Sequence, residues 1–439
     1  LIFCIIFIII STTKYNLHAF LALLAAALLF GILSGMPLQE IVVSIEQGFG
    51  GTIGKIGIVI IAGVIIGAFL EKSGGAYSLA EKILQYIGKK NVPLAMSVIG
   101  YIVSIPVFAD SGFVILSPLN KVLTKRAGIS LAVTAIALAL GLMAAHTLVP
   151  PTPGPIAAAG ILEADLGLVI LIAVPTGILA LLFGWFWSIK FASKVNIDPN
   201  PELTESDFNI RLKEAPSAAR SFLPILIPIL LIVLKSIADY PSRPFGGNDF
   251  YSVISFIGNP IIALLIGILI ATTLPKKFER KMLSSSGWVG EGLLSAAIII
   301  MITGAGGAFG KVLQNSGIAN VLGEGLSNFQ IGLWLPFLIA AVIRAAQGSS
   351  TVAIITTASI IAPLLSSMGL DSDTGKALTV LAIGAGSIVA SHANDSFFWV
   401  VTQLSGMDVK TGYKLMTMGT ISMGLFACFV IWITGLFIL

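Results

Sequence analysis

Charge is what this sequence has least of. Asp, Glu, Lys and Arg make up 10% of its 439 residues while hydrophobic types make up 56%, against about 25% charged in a typical soluble domain. A water-soluble surface cannot be built from that composition. The net charge of +4 is too small for a nucleic-acid partner. There are two cysteines, Cys4 and Cys428, both inside apolar runs, and they read as small buried hydrophobes rather than redox groups. Strands of alternating polarity are lacking, which excludes a membrane β-barrel. Gly54-Lys55 and Gly310-Lys311 lack both the Ser or Thr that must follow Lys in a phosphate loop and its earlier Gly, so no ATP-binding module is expected. With no His-Glu-x-x-His, no cysteine pair and no nucleophile–base set, neither a metal centre, a cofactor nor an enzyme activity is expected.

Long apolar runs are abundant instead, near the ~20 residues a helix needs to cross the hydrocarbon core. The fold expected is an all-α polytopic membrane protein. Helical spans fall at about 1–13, 17–34, 53–71, 128–160 with a break, 167–190, 221–236, 250–273, 288–308, 376–404 with a break, and 413–438. The first run carries no basic residues before it and no small-residue cleavage site after it, so it reads as a helix rather than a secretory signal. Two stretches, 92–118 and 331–367, are too long for one helix and polar near the middle. Re-entrant hairpins fit them, because irregular backbone at membrane depth is tolerated only where protein or water covers it.

Lys and Arg should collect in cytoplasmic loops. That rule puts Lys72, Lys82, Lys89, Lys90, Lys121, Lys125 and Arg126 inside, with the basic residues of 191–220 and 275–281, and leaves Glu163, Asp165, Asp371 and Asp373 outside. Both termini then lie outside. The polar linker 191–220 divides a first half, 1–190, from a second, 221–439. Ser73-Gly74 with Glu81 and Ser316-Gly317 with Glu324 each follow a Gly-Ala-Phe helix segment. Since the hairpins enter from opposite faces, two inverted-topology repeats are expected, each with a hairpin and a discontinuous helix.

Polar clusters interrupt both halves. Asp110, with Ser111 and Gly112, sits in the first hairpin; it either caps its own backbone or serves as a desolvated proton partner. His146 precedes Pro150, Pro151, Pro153 and Pro155, which cannot continue a helix. The break is either a packed kink with a core histidine or a discontinuity whose N–H groups and hydroxyls, Thr147 and Thr152 included, meet an anion. Arg344 leads into Gln347-Gly348-Ser349-Ser350-Thr351, and either pairs with an internal acid such as Glu291 or offers a fork to a carboxylate. Ser391-His392-Ala393-Asn394-Asp395-Ser396 is a polar interhelical seam or the counterpart of the His146 break, with Asp395 a second coupling candidate.

At these clusters the sequence resembles the gluconate:proton symporter family, a branch of the ion-transporter superfamily of inverted-repeat carriers. The resembling segments include Ser111-Gly112-Phe113-Val114-Ile115-Leu116, Pro150-Pro151-Thr152-Pro153-Gly154-Pro155, Arg344-Ala345-Ala346-Gln347-Gly348-Ser349-Ser350-Thr351 and Ser391-His392-Ala393-Asn394-Asp395-Ser396. The resemblance implies proton-coupled uptake of gluconate or a related small hydroxylated carboxylate through a bacterial cytoplasmic membrane, with a homodimer as the superfamily's habit. Ser111, Thr152, Arg344, Ser349, Ser350, Thr351 and Asn394 are then the substrate-binding candidates, and Asp110, His146, His392 and Asp395 the proton-coupling ones. Asp110 stands where familiar members carry glutamate, and Thr152 where a histidine is expected. D-Serine, fructuronate-like and glycerate-sized acids stay open as substrates. Rival readings are a sodium-coupled dicarboxylate or citrate carrier and, from another class, an ion channel, which needs a continuous polar pathway.

Overall fold

A computed structural model describes residues 2–15, 17–88, 91–199, 213–239, 249–317, 332–393 and 395–439, and its regular structure there is wholly helical. The helices are α1 Ile2–Thr13, α2 Ala19–Leu33, α3 Leu38–Lys72, α4 Gly75–Ile87, α5 Val92–Ser104, α6 Ala109–Ala127, α7 Leu131–Leu148, α8 Pro153–Ile161 and α9 Leu166–Phe191 in the first half. The second half holds α10 Ala218–Ala238, α11 Asp249–Ile257, α12 Pro260–Ala271, α13 Trp288–Asn315, α14 Trp334–Gln347, α15 Ser350–Ile361, α16 Asp373–Ile388 and α17 Ser396–Leu404. It ends with α18 Val409–Ile438, which carries a π turn at Tyr413–Thr417. With α7–α8 taken together over Leu131–Ile161, six spans among the described residues are long and apolar enough to cross a membrane, and the bent pair α11–α12 makes a seventh if counted as one.

The element order recurs. A long helix (α3, α13), a helical hairpin (α5–α6, α14–α15), a helix broken near its middle (α7–α8, α16–α17) and a further long helix (α9, α18) follow one another in each half. Arms α5, α14 and α15 have 13, 14 and 12 residues, so at 1.5 Å per residue they reach about 20 Å and fall short of the ~30 Å core. Lys89, Lys90, Glu324 and residues 200–212 of the linker, Arg211 among them, lie outside the described residues.

Three elements differ from the sequence reading. The glycine-rich segment before residue 53 does not end a helix: α3 runs unbroken for 35 residues. Packing explains this, because a Cβ on Gly48 would stand 2.4 Å from the Gly307 carbonyl oxygen and one on Gly307 would stand 2.0 Å from Thr52 Oγ1. These glycines let α3 and α13 touch backbone to backbone. The span at 250–273 is bent by 64° between α11 and α12. There Asn259 Oδ1 accepts from Ile261 N at 3.0 Å, and Pro260 opens the new helix, as proline suits a first helical position. Finally, the first hairpin's second arm runs past 118 to Ala127, where Gly128 adopts φ +65° and caps it.

At the centre stands α7, buried along its whole length. Gly141 makes this possible: a Cβ there would lie 2.1 Å from the Ser97 carbonyl oxygen on α5. Ser97 Oγ in turn donates to Ala137 O at 2.9 Å, tying the hairpin to the broken helix.

Candidate functional site

The interruptions of the two halves converge. Gly67 of α3 faces the carbonyl oxygen of Pro106 at the first hairpin tip, and Gly63, one turn away, faces that of Pro151 in the first helix break. A Cβ on Gly384 of α16 would stand 2.4 Å from Thr147 O, and one on Gly154 would stand 2.8 Å from Ile354 Cδ1 of α15. Small residues at these four positions let tips and breaks meet at membrane depth.

Arg344, on the last turn of α14, is fully buried. Its Nε donates to Ser387 O at 3.0 Å, its Nη1 donates to Gly348 O, and its Nη2 pairs with Asp395 Oδ2. Gly348 takes φ +76° as the C-cap of α14, a conformation that suits glycine, and so turns its carbonyl back to the guanidinium. Asp395 is the N-cap of α17: its Oδ1 accepts from Phe397 N at 3.1 Å, and its Oδ2 also accepts from Ser391 Oγ. The second break is pinned to α18, since Thr417 Oγ1 donates to Ser391 O at 2.6 Å and Ser391 N donates to Thr420 Oγ1 at 3.1 Å. Arg344 therefore has its internal acid in Asp395, whereas Glu291 pairs with Lys72.

The other candidates surround this pair. Half-buried Asp110 lies in the first turn of α6, and its Oδ1 accepts from Ser396 Oγ at 3.3 Å, linking the first hairpin to the second break. Ser111 follows it in the same turn. His392 Nε2 lies 2.8 Å from Ala345 O. His146 is buried in the last turn of α7 with its ring 6.1 Å from that of Phe108, and its Nδ1 has no partner among the described residues. Thr152 sits at the N-cap position of α8, buried, with its hydroxyl donating to Val149 O at 2.7 Å. Ser349 caps α15 by accepting from Val352 N at 3.3 Å, and Ser350 and Thr351 open that helix. Asn394 lies outside the described residues.

Beside the second hairpin tip is a cavity of about 390 Å3 whose wall includes Gln347, Ser349, Thr351 and Phe108, within the 300–1,000 Å3 range of small-molecule pockets. Gln347 is the residue that sequence reasoning passed over. Both its carboxamide atoms are buried without a partner among the described residues, an expensive state unless something else satisfies them. Its signal was an amide one turn past a membrane-depth arginine. Ser391, whose hydroxyl meets Asp395, is a second such residue, marked in the sequence only by its place in the polar cluster.

Comparison with known proteins gives a consistent result. The family model described as GntP family permease matches residues 1–437. The chain is 37% identical over 424 residues to a gluconate permease of Pseudomonas aeruginosa, covering 94% of this chain and 92% of that protein. It is 35% identical over 443 residues to the D-serine transporter DsdX of Escherichia coli K12, covering 100% and 97%. Among solved structures, the YdaH transporter of Alcanivorax borkumensis aligns with a TM-score of 0.68 at 14% identity over 94% of this chain and 97% of that one. That likeness is one of fold.

Proposed function

The chain belongs to the GntP family of permeases, and from that premise we propose that it carries gluconate or a related small hydroxylated carboxylate across the membrane together with a proton. It is a transporter rather than an enzyme, and a multi-pass protein of the inner membrane.

The observation that carries the proton-coupled reading is the buried Arg344–Asp395 pair at the junction of the second hairpin and the second break. One guanidinium cannot fully satisfy two carboxylates, so an incoming acid competes with Asp395 for Nη2. A proton on Asp395 resolves the competition: it removes the carboxylate's charge and releases Nη2 to the substrate. Nε and Nη1 meanwhile stay tied to the Ser387 and Gly348 carbonyls, which keeps the fork in place. Proton and acid thereby favour each other's binding.

In this reading Gln347, Ser349, Ser350 and Thr351 bind the substrate hydroxyls from the second hairpin, Ser111 and Thr152 approach from the facing elements, and Asn394 is a further binding candidate. Asp110, His146 and His392 complete the proton route. Alternating access between two inverted halves is supported by the repeated element order and by three hairpin arms, α5, α14 and α15, too short to span.

The test is uptake of labelled gluconate and, separately, D-serine into proteoliposomes with an inward proton gradient, with and without a protonophore and with or without sodium. Accumulation of the acid that collapses with the protonophore and ignores sodium is expected. Accumulation that follows sodium and ignores the protonophore would overturn the proton reading.

A further inference from the structure

A second cavity, of about 510 Å3, lies away from the central site. Its position follows from two helices. Lys72 at the end of α3 pairs with Glu291 at the start of α13, so the two run antiparallel. Lys311 lies 20 residues beyond Glu291 on α13, a rise of about 30 Å, and Lys55 lies 17 residues before Lys72 on α3, about 26 Å. Both lysines line the cavity. It therefore opens one hydrocarbon thickness from the Lys72–Glu291 pair. The Lys72 end is next to the basic loop with Lys276, Lys277, Arg280 and Lys281, which marks it as cytoplasmic and puts the cavity on the outer face.

Three cations from three helices enter this recess: Lys55 from α3, Lys311 from α13 and Lys376 from α16, against two acids, Glu163 and Asp371. Lys55 pairs with Glu163, and Asp371 Oδ2 accepts from Ser366 Oγ at 3.3 Å. Lys311 Nζ donates to the neutral Gln314 Oε1 at 3.0 Å. Among the described residues neither Lys311 nor Lys376 has an ion-pair partner. The lysine fields meet at one point, as Glu163 records. Its carboxyl is held below the ordinary value by the hydrogen bond and charge of Lys55, against partial burial that raises it, and further by Lys376 and Lys311.

We propose that this recess is an outer vestibule site for the transported anion, in which Lys311 and Lys376 receive the carboxylate before it passes to the central site and Glu163 keeps Lys55 occupied until then. The inference rests on the substrate being an acid, as proposed above. A recess lined by one excess sign and walled by protein concentrates counter-charged ligands, and salt screens the effect over a Debye length of ~10 Å at 0.1 M. Polar neighbours Thr52, Gln47 and Gln314 in the lining suit a hydroxylated acid, and a zwitterion such as an amino acid gains less there than a net anion.

The test has a reading that needs no transport. A Ser366→Cys chain, with Cys4 and Cys428 replaced by Ala, is treated in intact cells with membrane-impermeant thiosulfonate reagents carrying a sulfonate or an ammonium group. Rates are normalised to those with a free thiol. The anionic reagent is expected to be favoured about tenfold at low salt, with the preference lost in Lys311→Gln/Lys376→Gln and reduced by gluconate. No preference over the free thiol, no effect of the double substitution, or no labelling from outside would overturn the vestibule. In proteoliposomes the same double variant should raise KM for uptake several-fold at low salt, with the maximal rate kept; an unchanged KM would count against it. Wild-type protein that transports no acid while the reagent preference stands would refute the transport reading and leave an anion site.

Discussion

Arg344 Nη2 meets Asp395 Oδ2 in a buried ion pair that fastens the end of α14 to the start of α17, some 50 residues later in the chain. Both groups are further held, the arginine by two carbonyls and the aspartate by the Phe397 N–H and the Ser391 hydroxyl. A buried pair of this kind contributes little net stability against apolar replacements, but losing one partner costs about 3–5 kcal/mol because the other charge is stranded. Arg344→Ala is accordingly expected to lower the unfolding temperature more than Arg344→Ala/Asp395→Ala does. Thermal unfolding of these two variants and of Asp395→Ala in detergent compares them, and a double-variant loss equal to the sum of the two single losses would mean the pair is not coupled.

Asp395→Asn keeps an acceptor for Phe397 N but cannot cycle a proton. Exchange of labelled for unlabelled substrate at equilibrium is expected to continue, while proton-driven accumulation disappears. If accumulation survives with its usual pH dependence, the proton resides elsewhere, and Asp110→Asn becomes the variant to follow.

Gln347 borders the cavity beside the second hairpin tip, and its buried carboxamide donor and acceptor have no partner among the described residues. Gln347→Ala should therefore leave stability nearly unchanged yet weaken substrate binding by about tenfold, ~1.4 kcal/mol. Substrate titrations by calorimetry check the affinity, and an unaltered Kd would remove Gln347 from the site.

Two glycine replacements should separate packing from propensity. Gly141→Ala forces a methyl to 2.1 Å from Ser97 O, whereas a Cβ at Gly54 meets nothing within 4 Å. The first is expected to cost at least about 1–3 kcal/mol through backbone displacement; the second should be neutral or stabilise α3 by up to ~1 kcal/mol. Unfolding temperatures measured side by side decide the matter.

Lys55 and Glu163 should behave as an exposed pair, since their side chains are 57% and 64% accessible. The carboxyl of Glu163 lies below its ordinary value of 4.5. A depressed folded-state value means the contribution is complete above the unfolded value and lost as pH falls through the depressed one. Glu163→Gln is expected to lower stability by no more than about 1 kcal/mol at neutral pH. That difference should vanish in acid below both values and shrink in high salt; a larger gap at low pH would contradict it.

Much of the architecture was legible because membrane solvent is strict: a run of apolar residues near span length has few alternatives to a helix, and polar breaks at depth must be covered. Hence the clusters at Asp110, His146, Arg344 and Asp395 stood out without coordinates. The continuity of α3 and the bend at Gly258–Asn259 did not, because glycine-rich segments read alike whether they break a helix or admit a neighbour. Only the packing of Gly48 on Gly307, and of Gly258 against Leu231 O, separates the two cases.

By itself, then, the sequence determined that the chain is a helical membrane protein with two polar-interrupted halves, since composition and run length answer to the solvent and not to any partner residue. Tertiary structure decided which charges meet. Arg344 had two acids in prospect, and the choice of Asp395 over Glu291 depends on α14, α16 and α17 folding against one another. Gln347 became a candidate for the same reason: an amide's worth at membrane depth depends on whether its neighbours satisfy it, and neighbours distant in sequence are settled only by the fold.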